Sequence, residues 1–200
     1  MRSLRAGVLA LAVVVSAAGC GGGERQDEGA PTGTFDVDVT EASFPAEQSI
    51  ASPATLSLEV ANESERSVPD LAVTVETLGA VEGAAPSAFG QRSDDPSLAD
   101  SNAPIWIVDE PPAGGESAYD NTWTLGELEP GERRTVEWQL TPMRPGTYTV
   151  AYRLSPSVVG DAAIEGEDTA GEFEVTISDE PVPARVNGEG EVVVGEEAGR

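Results

Sequence analysis

The chain has 200 residues, of which 36 are acidic and 11 are basic, so its formal net charge is −25. It contains one cysteine and no histidine, which excludes a disulfide framework, a histidine-ligated zinc site and a triad with a histidine base. Binding to nucleic acid is not expected either, because the chain has no surplus of positive charge with which to neutralise phosphates.

The first 19 residues have the three parts of a secretory signal peptide. Arg2 and Arg5 form the basic part, Ala6 to Val15 is an uninterrupted apolar run, and residues 16–19 are small. An apolar run of this length is too short to span a bilayer as a helix. No other long apolar run follows, so we expect a cleaved signal peptide over 1–19 and no transmembrane segment.

The single cysteine, Cys20, comes directly after these small residues and is followed by three glycines. In this the chain resembles a bacterial lipoprotein precursor, although Ala17 stands where that family prefers leucine at the start of the lipobox. The resemblance implies cleavage before Cys20 and attachment of a diacylglycerol to its sulfur. The alternative is ordinary cleavage after the small residues, which would leave Cys20 as a free, oxidisable thiol.

Residues 20–34 contain no apolar side chain larger than alanine or proline and predict a flexible tether. A flexible segment of this length has a root-mean-square span of about 20 Å. Loss of the signal peptide would remove Arg2 and Arg5 and leave a net charge of −27. Anionic headgroups would repel such a chain, so only the lipid is expected to hold it at a membrane, with the folded part just above the surface.

Apolar and polar residues alternate with a period of two in many segments from Phe35 to Ile177, which is the pattern of half-buried strands. Proline, glycine, asparagine and aspartate punctuate the gaps. We therefore predict an all-β fold, an immunoglobulin-like antiparallel β-sandwich of seven to eight strands over 35–178. The strands are expected at 35–40, 56–60, 71–76, 105–108, 122–125, 136–140, 148–154 and 173–177.

Residues 128–150 carry a more specific pattern: a Leu-Glu-Pro-Gly-Glu turn, an alternating strand, and Pro-Gly-Thr-Tyr opening the next strand. This pattern resembles the CARDB-type cell-adhesion-related family of immunoglobulin-like modules. Tyr148 occupies the position of a tyrosine corner, two residues before the strand position that holds a cysteine in antibody domains. That position is Val150 here, so apolar packing is expected in place of the inter-sheet disulfide.

Residues 79–104 form a long insert between two predicted strands, and connections of this length are usually functional or unstructured. Phe89, Arg92 and Trp106 in and beside it are candidate partner-contact residues, since aromatic and arginine side chains are enriched at binding hot spots. The alternative is that Phe89 packs against the edge of the sandwich and that Trp106 covers the core.

The connection between the last two strands is rich in carboxylates, and Ca²⁺ prefers several oxygen ligands. Candidate ligands are Asp161, Glu165, Glu167 and Asp168. Their spacing is not that of a dedicated calcium loop, and in a chain with 36 acidic residues a solvated acidic face is the favoured interpretation. We therefore assign no metal and no other cofactor from the sequence.

Residues 179–200 are dominated by glycine, glutamate, proline and valine and predict an acidic, disordered tail, with an edge strand at 192–194 as the alternative. Taken together, the sequence predicts a non-enzymatic binding module, held by lipidated Cys20 outside the cytoplasm at the bacterial cell envelope. Its partner would be an envelope protein or polymer. The alternative is a small-ligand-binding or hydrolytic lipoprotein that uses the insert 79–104 as a lid.

Overall fold

The computed structural model describes residues 31–78, 88–91, 104–119, 121–186, 188 and 192–194. Within these residues it is all β, with two six-stranded sheets and a separate two-stranded ribbon. The first sheet has, in spatial order, the strands β11 (Ala163–Glu165), β1 (Thr34–Ser43), β3 (Ala54–Asn62), β9 (Arg133–Pro142), β6 (Trp106–Glu110) and β5 (Phe89–Gln91).

The second sheet faces the first across the core. Its spatial order is β2 (Glu47–Ser49), β12 (Ala170–Ser178), β10 (Gly146–Ser155), β4 (Ala72–Leu78), β8 (Thr122–Thr124) and β7 (Glu116–Tyr119). The central orders β1-β3-β9 and β12-β10-β4 are those of strands A-B-E and G-F-C in an immunoglobulin sandwich. The predicted immunoglobulin-like fold is confirmed, and β6 takes the place of strand D beside β9.

All eight strands expected from the sequence are present, but the sheets also contain four strands that the sequence pattern did not reveal: β2, β5, β7 and β11. Each has only three or four residues, too few to show an alternating pattern, and each pairs at a sheet edge. The sandwich is also not wholly antiparallel, because β1–β11, β2–β12 and β5–β6 pair in parallel.

The core lies between the sheets and is formed by the apolar residues of the alternating pattern. Leu56, Leu58 and Val60 of β3 are fully buried, whereas the serine and glutamate between them point outward. A chain of aromatic contacts runs through the core from Trp138 to Trp123, Phe89 and Trp106. The chain has few apolar residues for its length, and these large aromatic side chains supply much of the volume of the core.

The sandwich has two ends that differ in what the chain does there. At the N-terminal end, β1 begins at Thr34 beside the 62–71, 125–132 and 156–169 connections. At the opposite end, β4 stops at Leu78, β12 stops at Ser178, and the turns 44–53 and 143–145 close the sheets. The described chain thus enters the sandwich at one end and leaves it at the other.

After Ser178 the chain forms a ribbon of two short antiparallel strands, β13 (Ala184–Val186) and β14 (Val192–Val194). The alternative expectation of a strand at 192–194 is met, but this strand pairs with β13 and not with the edge of the sandwich. Residues 187, 189–191 and 195–200 of the predicted tail lie outside the described residues.

Candidate functional site

Several predicted features fall outside the described residues. These are the signal peptide 1–19, the lipidation candidate Cys20, the tether as far as residue 30, and Arg92. Of the insert 79–104, residues 88–91 and 104 are described. The described part of the chain contains no helix long and apolar enough to cross a membrane.

Phe89 and Trp106 were candidates for a surface patch, and the structure corrects this. Phe89 is 6% exposed and Trp106 is fully buried. The centroids of their two rings lie 6.2 Å apart in edge contact, and each ring has a further, tilted aromatic neighbour at a centroid distance of 5.5 Å. The Trp106 indole N–H donates to Gln48 Oε1 at 2.8 Å, and Gln48 Nε2 donates to the Pro45 carbonyl. Both side chains are therefore core residues and cannot form the predicted contact patch.

The length of the insert has a topological reason. Its described segment β5 pairs in parallel with β6, Phe89 opposite Trp106. Two adjacent parallel strands need a crossover connection of about a dozen residues or more, because the chain must return to the same end of the sheet. Residues 92–105 provide that connection, so much of the insert is required by the strand order itself.

Tyr148 makes the hydrogen bond that defines a tyrosine corner. Its hydroxyl donates to the Pro145 carbonyl, three residues upstream, at 3.1 Å. The ring also packs edge-on against Trp106, and Val150 two residues later is fully buried. Tyr148 thus fixes the turn between β9 and β10 by its hydrogen bond to Pro145 and by packing against Trp106 of the other sheet.

The carboxylates proposed for Ca²⁺ do not converge. All four of the candidates, Asp161, Glu165, Glu167 and Asp168, are exposed, and the described residues contain no group of three acidic side chains that could hold a metal ion. Asp168 instead makes two hydrogen bonds through its own backbone groups. Its N–H donates to Asp38 Oδ1 at 3.1 Å, and its carbonyl accepts from the Val39 N–H at 2.9 Å.

Asn62 is a buried polar residue at the end of β3 that joins three segments of the N-terminal end. Its Nδ2 donates to the carbonyls of Arg66 and Leu128, both at 2.9 Å, and its Oδ1 accepts the N–H and hydroxyl of Ser64. The Gly131 N–H donates to the Asn62 carbonyl at 2.8 Å. In the sequence, this junction is indicated only by an asparagine that follows an alternating strand.

Arg66 lies beside Asn62 and covers the point where the chain enters β1. Its guanidinium stands 4.7 Å from the centroid of the buried Phe35 ring, and Nη2 donates to the Thr34 carbonyl at 2.8 Å. Gly33 passes so close beneath that a Cβ there would lie 3.1 Å from Nη2. We refer to Arg66, Gly33, Thr34 and Phe35 together as the Arg66 clasp.

Three of the described titratable groups have pKa values displaced by their surroundings. The Glu129 N–H and the Arg134 guanidinium hydrogen-bond the Glu132 carboxylate and hold its pKa below the usual value. The Thr40 hydroxyl, and secondarily Arg133, hydrogen-bond the Glu59 carboxylate and lower its pKa. Burial, and secondarily the negative charge of Asp168, raises the pKa of the Tyr152 hydroxyl. All three groups belong to structural contacts, and none of them lines the cleft described next.

A cleft lies beside the β2–β12 edge, at the opposite end of the sandwich from Asn62 and Arg66. It has a volume of about 470 Å³ and is lined by Pro45, Glu47, Gln48, Ser49, Ser52, Pro53, Thr176, Ser178 and Val182. Its lining is mostly small and polar, with Glu47 as its one ionisable group. Neither Phe89, Trp106 nor the predicted calcium candidates take part in it.

No protein-family model matches the chain, and no curated protein is significantly similar to it. Among solved structures, it is similar to the CARDB domain of a Pyrococcus furiosus protein, with 17% identity and a TM-score of 0.44 over 73% of this chain and 96% of that one. It is also similar to part of Escherichia coli alpha-2-macroglobulin, with 14% identity and a TM-score of 0.42 over 76% of this chain and 18% of that one. The fold assignment depends on the strand order described above, and these likenesses carry no argument about binding or activity.

Proposed function

We propose that this protein is a lipid-anchored, non-enzymatic interaction module of the bacterial cell envelope, displayed outside the cytoplasm. The observation that carries the proposal is the N-terminal order of a basic start, an apolar run, small residues and Cys20, followed by a glycine-rich segment. A cysteine in this position is the site of diacylglycerol attachment in bacterial lipoproteins. The folded body then starts at Thr34, directly after the predicted tether.

The charge of the chain supports the lipid as the membrane attachment. A net charge of −25 opposes adsorption to anionic headgroups, whereas two or more acyl chains give stable anchoring without electrostatic help. The same charge favours cationic partners and keeps the displayed module soluble.

The described geometry supports an interaction role over catalysis. The core is filled by large aromatic and aliphatic side chains, and the cleft at the β2–β12 edge brings one carboxylate, Glu47, among hydroxyl groups and prolines. Glycoside hydrolysis by carboxylates requires two of them at a fixed separation across the substrate. We therefore infer that this sandwich acts through contacts made at its surface.

The anchor is tested by expressing the full precursor in a bacterium supplied with a radiolabelled or alkyne-tagged fatty acid. We expect the label in the protein band, the protein in the detergent phase of a Triton X-114 partition, and loss of both with Cys20→Ala. The Cys20→Ala variant is its matched control, because it keeps the signal peptide and the whole folded body. An unlabelled wild-type chain in the aqueous phase would overturn the proposal.

A further inference from the structure

We propose that the Arg66 clasp fixes the point at which the N-terminal segment leaves the folded body, and thereby sets which end of the sandwich faces the membrane. The second half of this inference rests on the lipid anchor proposed above, whereas the clasp itself does not. Two contacts converge on the guanidinium, the ring of Phe35 and the carbonyl of Thr34, and Gly33 passes beside it with no room for a side chain. Together they hold the first residues of β1 against the sandwich.

The backbone of Arg66 is held in place as well. Asn62, which is fully buried, donates its Nδ2 to the Arg66 carbonyl at 2.9 Å and so fixes the backbone of the turn that carries Arg66. A charged donor bonded to a carbonyl is stronger than a neutral one, and a cation over an aromatic face adds to it. The clasp therefore joins the end of β3 to the beginning of β1.

The clasp also holds the part of β1 with which the edge strand β11 pairs. The Gly33 carbonyl accepts the Ala163 N–H at 2.9 Å, and from there β11 pairs in parallel with Thr34–Asp36. Gly33 has a φ of +99°, which favours glycine, and its lack of a side chain lets the chain pass beneath the guanidinium. Without the clasp, residues 33–35 would be free to separate from the edge of the sheet.

The consequence is a defined orientation. If the tether ends at Gly33, the N-terminal end of the sandwich is the end next to the membrane. The opposite end, about 30 Å away for strands of nine or ten residues, then faces outward. That end carries Leu78 and Met143, which are 41% and 52% exposed, together with the cleft beside β2.

The clasp is tested by hydrogen exchange on the full chain, with the amides of Asp36 and Ala163 as reporters. We expect Arg66→Ala to lower their protection about ten-fold or more, while amides in β9 and β10 keep theirs. Gly33→Ala would place a Cβ 3.1 Å from Arg66 Nη2 at a backbone φ of +99°, and should give the same loss of protection at these two amides. Arg133→Ala is the matched control, because Arg133 is an exposed arginine at the same end that pairs with Glu59 and Glu63.

Unchanged protection of Asp36 and Ala163 in both Arg66→Ala and Gly33→Ala would overturn the clasp. Should Arg66→Ala fail to fold, Arg66→Lys keeps the cation over Phe35 and loses the planar donor, and is expected to give a smaller loss at the same amides. These exchange measurements hold for the Cys20→Ala chain as well, so they separate the clasp from the lipid anchor.

Orientation is measured on the lipidated chain in vesicles, by quenching of a fluorophore placed at Glu165→Cys or at Met143→Cys with a headgroup quencher. We expect strong quenching at position 165 and weak quenching at 143, and a smaller difference in the Arg66→Ala background. Equal quenching at the two positions in the wild-type background would contradict the proposed orientation.

Discussion

Two tryptophans of the core differ in one hydrogen bond, and this gives a prediction at the scale of single residues. Trp106 and Trp138 are both fully buried, but the indole N–H of Trp106 donates to Gln48, whereas that of Trp138 has no partner among the described residues. Replacing either ring by phenylalanine leaves a similar cavity. Trp106→Phe additionally leaves a buried carbonyl of Gln48 unpaired, which costs about 1–3 kcal/mol.

We therefore expect Trp106→Phe to reduce the free energy of unfolding by about 1–3 kcal/mol more than Trp138→Phe does. The measurement is urea denaturation followed by circular dichroism, since both changes alter the intrinsic fluorescence. Each variant is the control for the other, and equal losses of stability would contradict the role of the Gln48 bond.

Asn62 is the second residue whose removal has a predictable cost. Asn62→Ala would leave the carbonyls of Arg66 and Leu128 and the N–H of Ser64 without the partner that the fully buried Asn62 side chain provides. We expect a loss of about 3 kcal/mol or more in the free energy of unfolding, and about 1 kcal/mol for the control Ser64→Ala. Similar losses for the two variants would show that Asn62 does not join these segments.

At the scale of elements, the sequence predicted the eight longer or more apolar strands, and it did not predict the four short strands at the sheet edges. β1, β3, β4, β9, β10 and β12 were expected because their inward residues are apolar and their outward residues polar. β2, β5 and β11 are held by backbone pairing at positions set by distant parts of the chain, which leaves no local pattern. All three also pair in parallel, a choice that depends on the path of the chain and not on residue type.

The candidate site was harder to predict for the same reason. Aromatic residues in a long connection suggest a contact surface, but the parallel pairing of β5 with β6 turns Phe89 and Trp106 inward. The hydrogen bond of Tyr148 is easier to infer from the sequence, because it depends on a local turn and spans three residues. Asn62 and Arg66 act through contacts that are distant in sequence, and polarity alone does not distinguish them from surface residues.

The turn 128–132 gives a prediction for the dependence of stability on pH. Glu132 accepts hydrogen bonds from the Glu129 N–H and from Arg134, so its pKa is lower in the folded chain than in the unfolded chain. Its contribution is present above the unfolded pKa and is lost as the pH falls through the folded pKa. Glu132→Gln should be less stable than the wild type at pH 7 and should lose less stability between about pH 5 and pH 3.

Urea denaturation at several pH values measures this difference. The control is Glu137→Gln, which removes an exposed carboxylate from the outer face of β9 and changes the formal charge by the same amount as Glu132→Gln. Parallel pH profiles for the wild type and Glu132→Gln would show that the turn does not depend on the ionised carboxylate.

At the scale of the whole molecule, an excess of negative charge acts on a sandwich that has few cations to offset it. The chain has 36 acidic residues and 11 arginines. At the N-terminal end, two of the arginines form salt bridges with three glutamates: Arg133 with Glu59 and Glu63, and Arg134 with Glu132. Repulsion among the remaining carboxylates destabilises the compact state more than the expanded one. Exposed salt bridges contribute little by comparison.

Salt should therefore stabilise this protein. Raising NaCl from about 20 mM to about 500 mM shortens the Debye length from roughly 20 Å to under 5 Å, so repulsion between distant carboxylates is screened while the apolar core is unaffected. We expect the melting temperature at pH 7 to rise by several degrees, as measured by circular dichroism, and to rise less at about pH 4, where many carboxylates are protonated. A melting temperature that falls with salt at pH 7 would mean that the few ion pairs outweigh the net charge, and the acidic faces would then be part of the structure rather than a surface kept free for cationic partners.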